Sequence, residues 1–455
     1  MAAPAATTLN PIRVSGVQPQ GIHGRLLIET WICVFPASFL LSIGQPGIAA
    51  KLIVGSLFGL LAYHFLMRQP FEFVALTMAC LPMVTVLRGL FFYYSIILAL
   101  GGGLIFFAAV MPKEPARLWS DLSWRVMFLW LACYWWISFV RTGNYASNLR
   151  AFELILSLAA TMLLAGRRSY LGTALLGFGI STAAVAIGLL PYGDRLGEGK
   201  IAGLEVGNPI LLGLPSSLIL LLSIADSGKW LLLDRHKILR VAVSLGAGLC
   251  LALSASRGSW LATAVGLLII FIWNKGGKKS LLVSLLVLSL GIAALLSTKR
   301  GSNVASYFTK TLDSERSLAN RTSFRSVQWE VFPDVFWESP IWGWGPGSGV
   351  EVAGEFTGRH LGWHSMYLQL GGETGMIGLG SLIVLLVSLT LRGLSYQSRT
   401  GEMVPLIGLV IYMTIGLSVT GMDSTSGVFL GLAFASANVS PGLKVYRLRF
   451  AEATS

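Results

Sequence analysis

Apolar segments of roughly 17–25 residues recur along the chain, which is the length that a helix needs to cross a bilayer. Short polar connectors, often containing Gly or Pro, separate them. The predicted segments lie near 25–44, 47–67, 70–87, 89–111, 123–141, 150–166, 169–191, 208–225, 237–254, 256–273, 279–297, 365–391, 402–420 and 424–439. Because some connectors are very short, the pattern predicts an all-α, polytopic integral membrane protein with about 12–14 transmembrane helices.

One long stretch, 298–364, breaks this pattern and predicts a large loop that contains short helices. Within it, Ser314–Phe336 has helix-like spacing, with Arg321 and Arg325 on one face. The Pro- and Gly-rich run that follows should end this helix and lead the chain to His364. The expected organisation is a cytoplasmic N-terminal segment, transmembrane helices, a large periplasmic loop, C-terminal transmembrane helices and a cytoplasmic tail: 1–24, 25–297, 298–364, 365–440 and 441–455.

Composition agrees with a membrane protein, since 54% of the residues are hydrophobic and only 12% are charged. A soluble protein carries about a quarter charged residues. The four cysteines all fall inside apolar runs and form no CxxC pair. The sequence therefore indicates neither a disulfide framework nor a metal site, and no cofactor is expected.

The net charge of +13 reflects the membrane topology rather than a nucleic-acid partner, because most Lys and Arg residues fall in alternate short connectors. Those connectors are assigned to the cytoplasm. Both termini are then cytoplasmic, and the loop 298–364 faces the periplasm or the cell exterior.

Several arginines lie on the outer side, against this topological bias: Arg195, Arg257, Arg321 and Arg325. Cations placed there indicate an anionic ligand. The alternative is that they extend to lipid headgroups. Arg257 fits that alternative least well, because its flanks are apolar and place it slightly within the bilayer.

His364 lies where the loop enters an apolar segment, and an ionisable ring at that depth is a candidate functional residue. A helix starting near Trp363 would place His364 and Tyr367 on one face. Glu373 would project from the opposite face unless the two preceding glycines bend the helix. A neutral imidazole could take a proton from a sugar hydroxyl. The alternative is an interfacial histidine bonded to a loop carbonyl.

Arg195 and Arg257 form a natural pair of clamps for a lipid-linked diphosphate, because each guanidinium donates two parallel hydrogen bonds and stays charged near lipid. Neutralising a departing diphosphate is the electrostatic help that a transfer reaction needs. No DxD motif lies in an outer loop, so metal-assisted sugar-nucleotide chemistry is not indicated.

The order of these motifs between about residues 190 and 390 resembles the O-antigen ligase and polymerase superfamily. Ser365 stands where that family commonly has Asn, and Ile210 replaces the second Asn of its usual Asn-Pro-Asn. The motifs are Arg195-Leu-Gly-Glu, Gly207-Asn208-Pro209, Ser256-Arg257-Gly258, Ser339-Pro340-Ile-Trp-Gly343, His364-Ser-Met-Tyr367 and Glu373-Thr-Gly375.

The resemblance implies a metal-independent glycosyltransferase of the bacterial inner membrane that uses an undecaprenyl-diphosphate-linked glycan at the periplasmic face. It maps the diphosphate-binding role to Arg195 and Arg257, and activation of the acceptor hydroxyl to His364. Tyr367, Glu373, Arg321 and Arg325 are supporting candidates. A ligase would use the lipid A core of lipopolysaccharide as acceptor, a polymerase a second lipid-linked glycan. The superfamily name favours the ligase, and a protein O-oligosaccharyltransferase stays open.

A solute or bicarbonate transporter is the competing class. A carrier should place acidic or polar residues near helix midpoints and should contain paired broken helices. Charges at helix midpoints are scarce here, and the polar residues concentrate at the outer rim. The pattern therefore favours chemistry at the membrane surface over passage through it.

Overall fold

A computed structural model describes residues 20–87, 94–111, 122–141, 145–192, 200–201, 204–205, 209–273, 325–358, 362–419 and 423–435, with isolated positions between 282 and 317. Its first eight helices are α1 (Gln20–Ser42), α2 (Pro46–Leu66), α3 (Pro70–Ala79), α4 (Val84–Leu87), α5 (Ser95–Val110), α6 (Leu122–Arg141), α7 (Tyr145–Ala165) and α8 (Arg168–Leu189).

Eight more helices follow in the described residues. The two-residue strands Lys200–Ile201 and Leu204–Glu205 pair antiparallel between α8 and the next helix. These helices are α9 (Pro209–Ile224), α10 (Lys237–Ser254), α11 (Arg257–Trp273), α12 (Arg325–Glu338), α13 (Gly349–Thr357), α14 (Met366–Thr400), α15 (Val404–Gly416) and α16 (Ser424–Phe434). Three of the sixteen described helices are extended by short 3-10 turns, which lie at Leu81–Met83, Leu190–Tyr192 and Ala225–Leu231.

The helical architecture confirms the predicted fold class. Thirteen of the fourteen predicted apolar segments coincide with helices, and the segment 279–297 lies almost wholly outside the described residues. Among the described helices, five are long and apolar enough to cross a membrane by length and composition: His23–Ser42, Pro46–Leu66, Arg168–Tyr192, Lys237–Ser254 and Met366–Thr400. Six others are apolar but have only 10–17 residues.

Large apolar side chains on the outside of the bundle follow the helical repeat. On α1, for example, Ile28, Trp31, Ile32, Phe35 and Phe39 are each 45–61% exposed, and their spacing places them on one face. A contiguous apolar stripe of this kind is costly in water and favourable against lipid. The exposed face of α1 therefore fits a membrane environment.

One end of the bundle is held together by ion pairs and hydrogen bonds. Arg168, at the start of α8, pairs with Glu402, which precedes α15 (Nη1–Oε1 2.8 Å). Tyr396, near the end of α14, donates to the other carboxylate oxygen of Glu402 (2.7 Å). The start of α8, the end of α14 and the start of α15 therefore lie at one level, which we call the base.

Helices that start from the base differ in length. The span Arg168–Tyr192 has 25 residues, about 37 Å at 1.5 Å per residue, whereas α15 has 13, about 20 Å. The outer end of α15 is therefore closer to the base than the outer end of α8. We call the region at the outer end of α15 the recess, and that end of the helix its floor.

Two short helices, α12 and α13, form a cap over this end of the bundle. They share a small apolar cluster of their own, formed by Val335, Val352, Ala353, Trp363 and Leu368. The sequence predicts short helices in this loop but gives a range only for the first, so the structure adds the range of α13. The described part of the predicted segment Ser314–Phe336 becomes helical at Arg325.

A sharp break divides α14 at Gly375, where φ is +61° and ψ is −154°. The bend that the sequence allowed at Gly371 and Gly372 therefore occurs at Gly375 instead. Pro340 accepts a hydrogen bond from the Met376 amide (2.7 Å), and the Trp344 amide donates to the Gly372 carbonyl (2.8 Å). The Trp- and Gly-rich turn of the cap thus satisfies backbone groups that the break leaves without helical partners.

Candidate active site

His364 lies just before α14, with its side chain accessible to solvent. Ser365 is extended (φ −143°, ψ 133°), so the helix begins at Met366 rather than near Trp363. The prediction that His364 and Tyr367 share a helical face is therefore wrong. The imidazole is carried by a loop whose backbone must be fixed by other parts of the chain.

Gln328 on α12 fixes that loop. Its side chain is only 3% exposed. Its Nε2 donates to the carbonyl of Gly362 (3.0 Å), and its Oε1 accepts from the backbone amide of His364 (3.1 Å). One amide side chain therefore holds the backbone on both sides of Trp363 and fixes the position from which the His364 side chain projects.

The residues after His364 are attached to α15. Ser365 donates to the carbonyl of Gly416 (3.0 Å), and Tyr367 donates to the carbonyl of Met413 (3.0 Å). Both carbonyls belong to the last turn of α15, where four carbonyls have no partner within the helix. Tyr367 is thus an anchor between α14 and α15, and its supporting role in the site stays a prediction.

Arg257 starts α11 and is half-buried. A turn in which Ala255 adopts a left-handed conformation (φ +47°, ψ 29°) separates it from α10. Gly258 lies directly against Ser418, just beyond the end of α15. Arg257 and His364 are therefore both anchored to the floor of the recess.

Buried hydroxyl groups support the turn that carries Arg257. Ser259 donates to Ser256 (2.9 Å), and Thr263 donates to Ser217 of α9 (2.9 Å). Ser217 in turn donates to the backbone carbonyl of Ser259 (3.1 Å). Because these groups are buried and bonded to one another, they resist rearrangement of the first turns of α11.

Arg325 interacts electrostatically with both Arg257 and His364. Burial lowers the pKa of Arg325, and the nearby positive charge of Arg257 lowers this pKa further. Its Nε is buried and has no hydrogen-bond partner among the described residues. Two guanidinium groups held close together, one with an unused buried donor, favour binding of an anion.

His364 responds to the same cluster. Partial burial lowers its pKa below the ordinary value, and the charge of Arg325 lowers it further. The imidazole is therefore neutral at pH 7, which is the form that can accept a proton. We call Arg257, Arg325 and His364 the recess cluster.

Glu373 is not part of the recess cluster and lies between α14 and α13 of the cap. It is 2% exposed and accepts hydrogen bonds from Nε2 of Gln369 (3.2 and 3.3 Å). Its carboxylate faces Gly349, the first residue of α13, where a negative charge is stabilised by the helix dipole. Its backbone carbonyl accepts from the Gly345 amide (2.9 Å). These contacts tie the cap to α14.

Two predicted site residues, Arg195 and Arg321, lie outside the residues that the structure describes. Among the described residues, no group of three or more His, Cys, Asp and Glu side chains could hold a metal ion. The structure does show Arg257 together with Arg325 and His364. This cluster supplies two cationic hydrogen-bond donors and one neutral imidazole that can act as a general base.

Gln328 is the residue that sequence reasoning missed. Its neighbours on the buried face of α12 are apolar, with Phe332 four residues and Val335 seven residues further on. A polar residue inside an apolar stripe at helical spacing needs buried hydrogen-bond partners. That pattern was the available signal, although it does not reveal which partners the side chain has.

The fold and the recess cluster define a polytopic helical membrane protein with a cationic, histidine-bearing site at one end of its bundle. Residues 242–383 match the family model described as O-antigen ligase. This match supports the superfamily predicted from the sequence. The matched region runs from α10 into α14 and contains the whole recess cluster. No curated protein matches the chain.

Proposed function

We propose that this protein transfers a glycan from undecaprenyl diphosphate to an acceptor hydroxyl at the periplasmic face of the bacterial inner membrane. The preferred acceptor is the lipid A core of lipopolysaccharide, which makes the protein an O-antigen ligase. The family match supports glycosyl transfer by this type of protein in general.

The observation that carries the proposal is the recess cluster itself. Transfer from a lipid diphosphate needs cationic donors for the leaving group and a base for the acceptor. Arg257 and Arg325 supply the donors, and the lowered pKa of His364 makes it a base at neutral pH. Arg257 and His364 are both held at the outer end of α15, and Arg325 lies close enough to both to influence them electrostatically.

The reaction is a displacement at the anomeric carbon of the donor glycan. His364 accepts the proton of the acceptor hydroxyl while that oxygen forms the new glycosidic bond. The bond between the anomeric carbon and the diphosphate breaks, and undecaprenyl diphosphate leaves with the bonding electrons. Arg257 and Arg325 stabilise the charge that develops on the leaving diphosphate. Arg195 is expected to complete this anion site.

The charge pattern supports the proposed orientation. Lys and Arg are frequent in the connectors on the side of the base, including Arg167, Arg168 and Arg399. Positive connectors face the cytoplasm, so the recess opens to the periplasm. Both termini are then cytoplasmic, and the lipid-linked donor enters from the outer leaflet.

A polymerase that extends a second lipid-linked glycan would use the same donor and the same three groups. A protein O-oligosaccharyltransferase would differ only in its acceptor. The transporter is less well supported, because the recess cluster is placed for chemistry at one end of the bundle. These alternatives differ in the product that they predict.

Reconstitution with an undecaprenyl-diphosphate-linked glycan separates them. Purified protein in liposomes is offered either lipid A core or a second lipid-linked glycan. Glycan on the lipid A core is the expected product. Chain growth on the lipid carrier would instead establish a polymerase, and donor binding without transfer to either acceptor would favour a protein acceptor. Absence of donor binding would contradict glycosyl transfer.

Substitution of the recess cluster tests the mechanism. His364→Ala should abolish transfer while leaving donor binding intact, and Arg257→Ala should abolish transfer and weaken donor binding. His236→Ala and Arg399→Ala, at exposed positions of the base side, are the matched controls and should keep wild-type activity. Normal transfer by both recess variants at matched protein levels would remove these residues from the mechanism.

A further inference from the structure

A stripe of exposed apolar residues on α14 ends at the cap. After the break at Gly375, these residues recur at helical spacing on one face of the helix. They are Met376, Ile383, Val384, Val387 and Leu391, each 48–63% exposed. Such a stripe is costly in water and favourable against lipid, as on α1. This face of α14 therefore lies against hydrocarbon.

Met376 marks the outer end of the stripe. It is twenty residues before Tyr396, which corresponds to about 30 Å along the helix. Tyr396 bonds to Glu402, and the ion pair of Glu402 with Arg168 must lie outside the hydrocarbon because charges are costly there. The hydrocarbon core of a bilayer is about 30 Å thick. Met376 therefore lies near the boundary between hydrocarbon and headgroups at the capped end of the bundle.

A closed turn of the cap, Ser339–Gly343, presents two large apolar side chains. The Gly343 amide donates to the Ser339 carbonyl (3.0 Å), and the Ser339 hydroxyl donates to the Gly343 carbonyl (2.8 Å). Ile341 and Trp342 lie at the tip of this turn and are 56% and 55% exposed. We call these two residues the tip.

Contacts with α14 fix the level of the tip. The Met376 amide donates to the carbonyl of Pro340 (2.7 Å). A Cβ added at Gly375 would come within 2.5 Å of the backbone of Ile341, and one added at Gly343 would come equally close to the backbone of α14. The tip therefore continues the lipid-facing stripe of α14 at the boundary that Met376 marks.

The charges of the cap do not favour an anionic partner. Between 326 and 358 the chain has five acidic residues and no Lys or Arg. Glu330, Asp334 and Glu338 are exposed and four residues apart, so they form one stripe on α12. Attraction to anionic headgroups needs basic residues. Contact between the cap and a membrane must then come from apolar and aromatic side chains.

We propose that Ile341 and Trp342 form a membrane anchor, which seats the cap in the headgroup region of the leaflet at the capped end of the bundle. Tryptophan is enriched at this level, because its ring buries apolar surface while its N–H reaches headgroups and water. Gln328 of the same cap holds the backbone of His364. The anchor therefore sets the height of the His364 loop relative to the lipid surface, whatever reaction the site performs.

The depth of a nitroxide label on the full-length protein in nanodiscs tests the anchor. Ile341→Cys carries the label at the tip and leaves Trp342 in place. Val384→Cys, in the stripe of α14, is the hydrocarbon reference, and Glu355→Cys, exposed on α13, is the water reference. The measurement is the rate of collision of each label with oxygen, which concentrates in hydrocarbon, and with a water-soluble nickel chelate.

The ratio of oxygen to nickel collisions should be several-fold higher at Ile341→Cys than at Glu355→Cys, and lower than at Val384→Cys. A ratio equal to that at Glu355→Cys would place the tip in water and overturn the anchor. Low rates with both reagents would show that protein, such as a second copy of the chain, covers the tip, and would also overturn it. So would a water-like ratio that changes only when glycan is added, which would assign the tip to a carbohydrate.

Substitution of Trp342 tests the source of the attraction. In the labelled Ile341→Cys protein, Trp342→Glu should lower the ratio towards the water reference, whereas Trp342→Tyr should keep it, because Tyr is also enriched at this level. Replacing neutral lipid with phosphatidylglycerol should leave the ratio unchanged, because 326–358 has no cation to attract it. Equal ratios in the two Trp342 variants, or a ratio that rises with phosphatidylglycerol, would contradict an aromatic anchor.

Discussion

His364 has the electrostatic surroundings of a general base because a cation lies beside it. The charge of Arg325 disfavours a second positive charge on the imidazole, as does partial burial, and both lower the pKa of His364. The catalytic form is the neutral one. Activity is therefore present above this lowered pKa and is lost as the pH falls through it.

Removal of the Arg325 charge should move that loss to higher pH. In Arg325→Met the pKa of His364 rises towards its ordinary value, so the acidic limb of the kcat profile shifts upward. Arg325→Lys keeps the charge and should keep the position of the limb, although it binds the diphosphate less well. The check is kcat against pH for both variants. An unshifted limb in Arg325→Met would contradict the electrostatic coupling.

Gln328 is expected to act through the position of His364 and not through the substrate. Gln328→Met removes both hydrogen bonds and leaves the half-buried amide of His364 without its partner. Because a small displacement of the general base lowers the rate of proton transfer, kcat should fall by about 10- to 100-fold. The dissociation constant of the donor should stay near wild type. Gln328→Glu keeps the acceptor for the His364 amide and should retain more activity than Gln328→Met. Equal activity of the two variants would argue against the clamp.

The sequence indicates some site residues better than others for a physical reason. Arg257 and His364 stand out because charged and ionisable groups near hydrocarbon are costly unless they have a use. The role of Tyr367 could not be predicted, because it depends on the residue at which α14 begins. That residue is set by hydrogen bonds from Ser365 and Tyr367 to α15, which is about fifty residues away.

At the scale of single elements, apolar periodicity predicts where helices occur but not where they break. The run from 365 onward looks like one continuous helix, and its glycines offer several places to bend. The break falls at Gly375 because the turn at Pro340–Gly345 packs there and bonds to the interrupted backbone. The choice among glycines is therefore made by a segment some thirty residues earlier.

Gly375 should tolerate no side chain. Its φ and ψ lie in a region that is essentially restricted to glycine, and an added Cβ would come within 2.5–2.7 Å of Ile341 and Pro340. Gly375→Ala should cost at least about 1–3 kcal/mol, which would lower Tm and disturb the cap over His364. Gly380→Ala is the control, because Gly380 is helical with open space around it and should be neutral or slightly stabilising. Equal Tm values for the two variants, measured in the same detergent, would refute a strained break.

At the scale of the whole molecule, the recess cluster is positioned by the outer end of α15, which Gly258 and the residues after His364 contact. Sequence alone predicts many apolar segments of similar hydropathy, but it does not reveal that α15 is short or that Arg168 and Glu402 align its start with that of α8. The outer end of α15 thereby brings Arg257 and His364 to one level, although they are about a hundred residues apart in the sequence.

The orientation of the whole bundle can be tested by labelling from either side. Ser398 lies near the end of α14 on the side of the base, and Glu355 is exposed on α13 in the cap. In spheroplasts, Glu355→Cys should react with a membrane-impermeant maleimide, whereas Ser398→Cys should react only after the membrane is permeabilised. The native cysteines are buried or half-buried and give little background. The reverse pattern would place the recess in the cytoplasm, and a periplasmic transferase would then be ruled out, because its lipid-linked donor and acceptor would meet the wrong face.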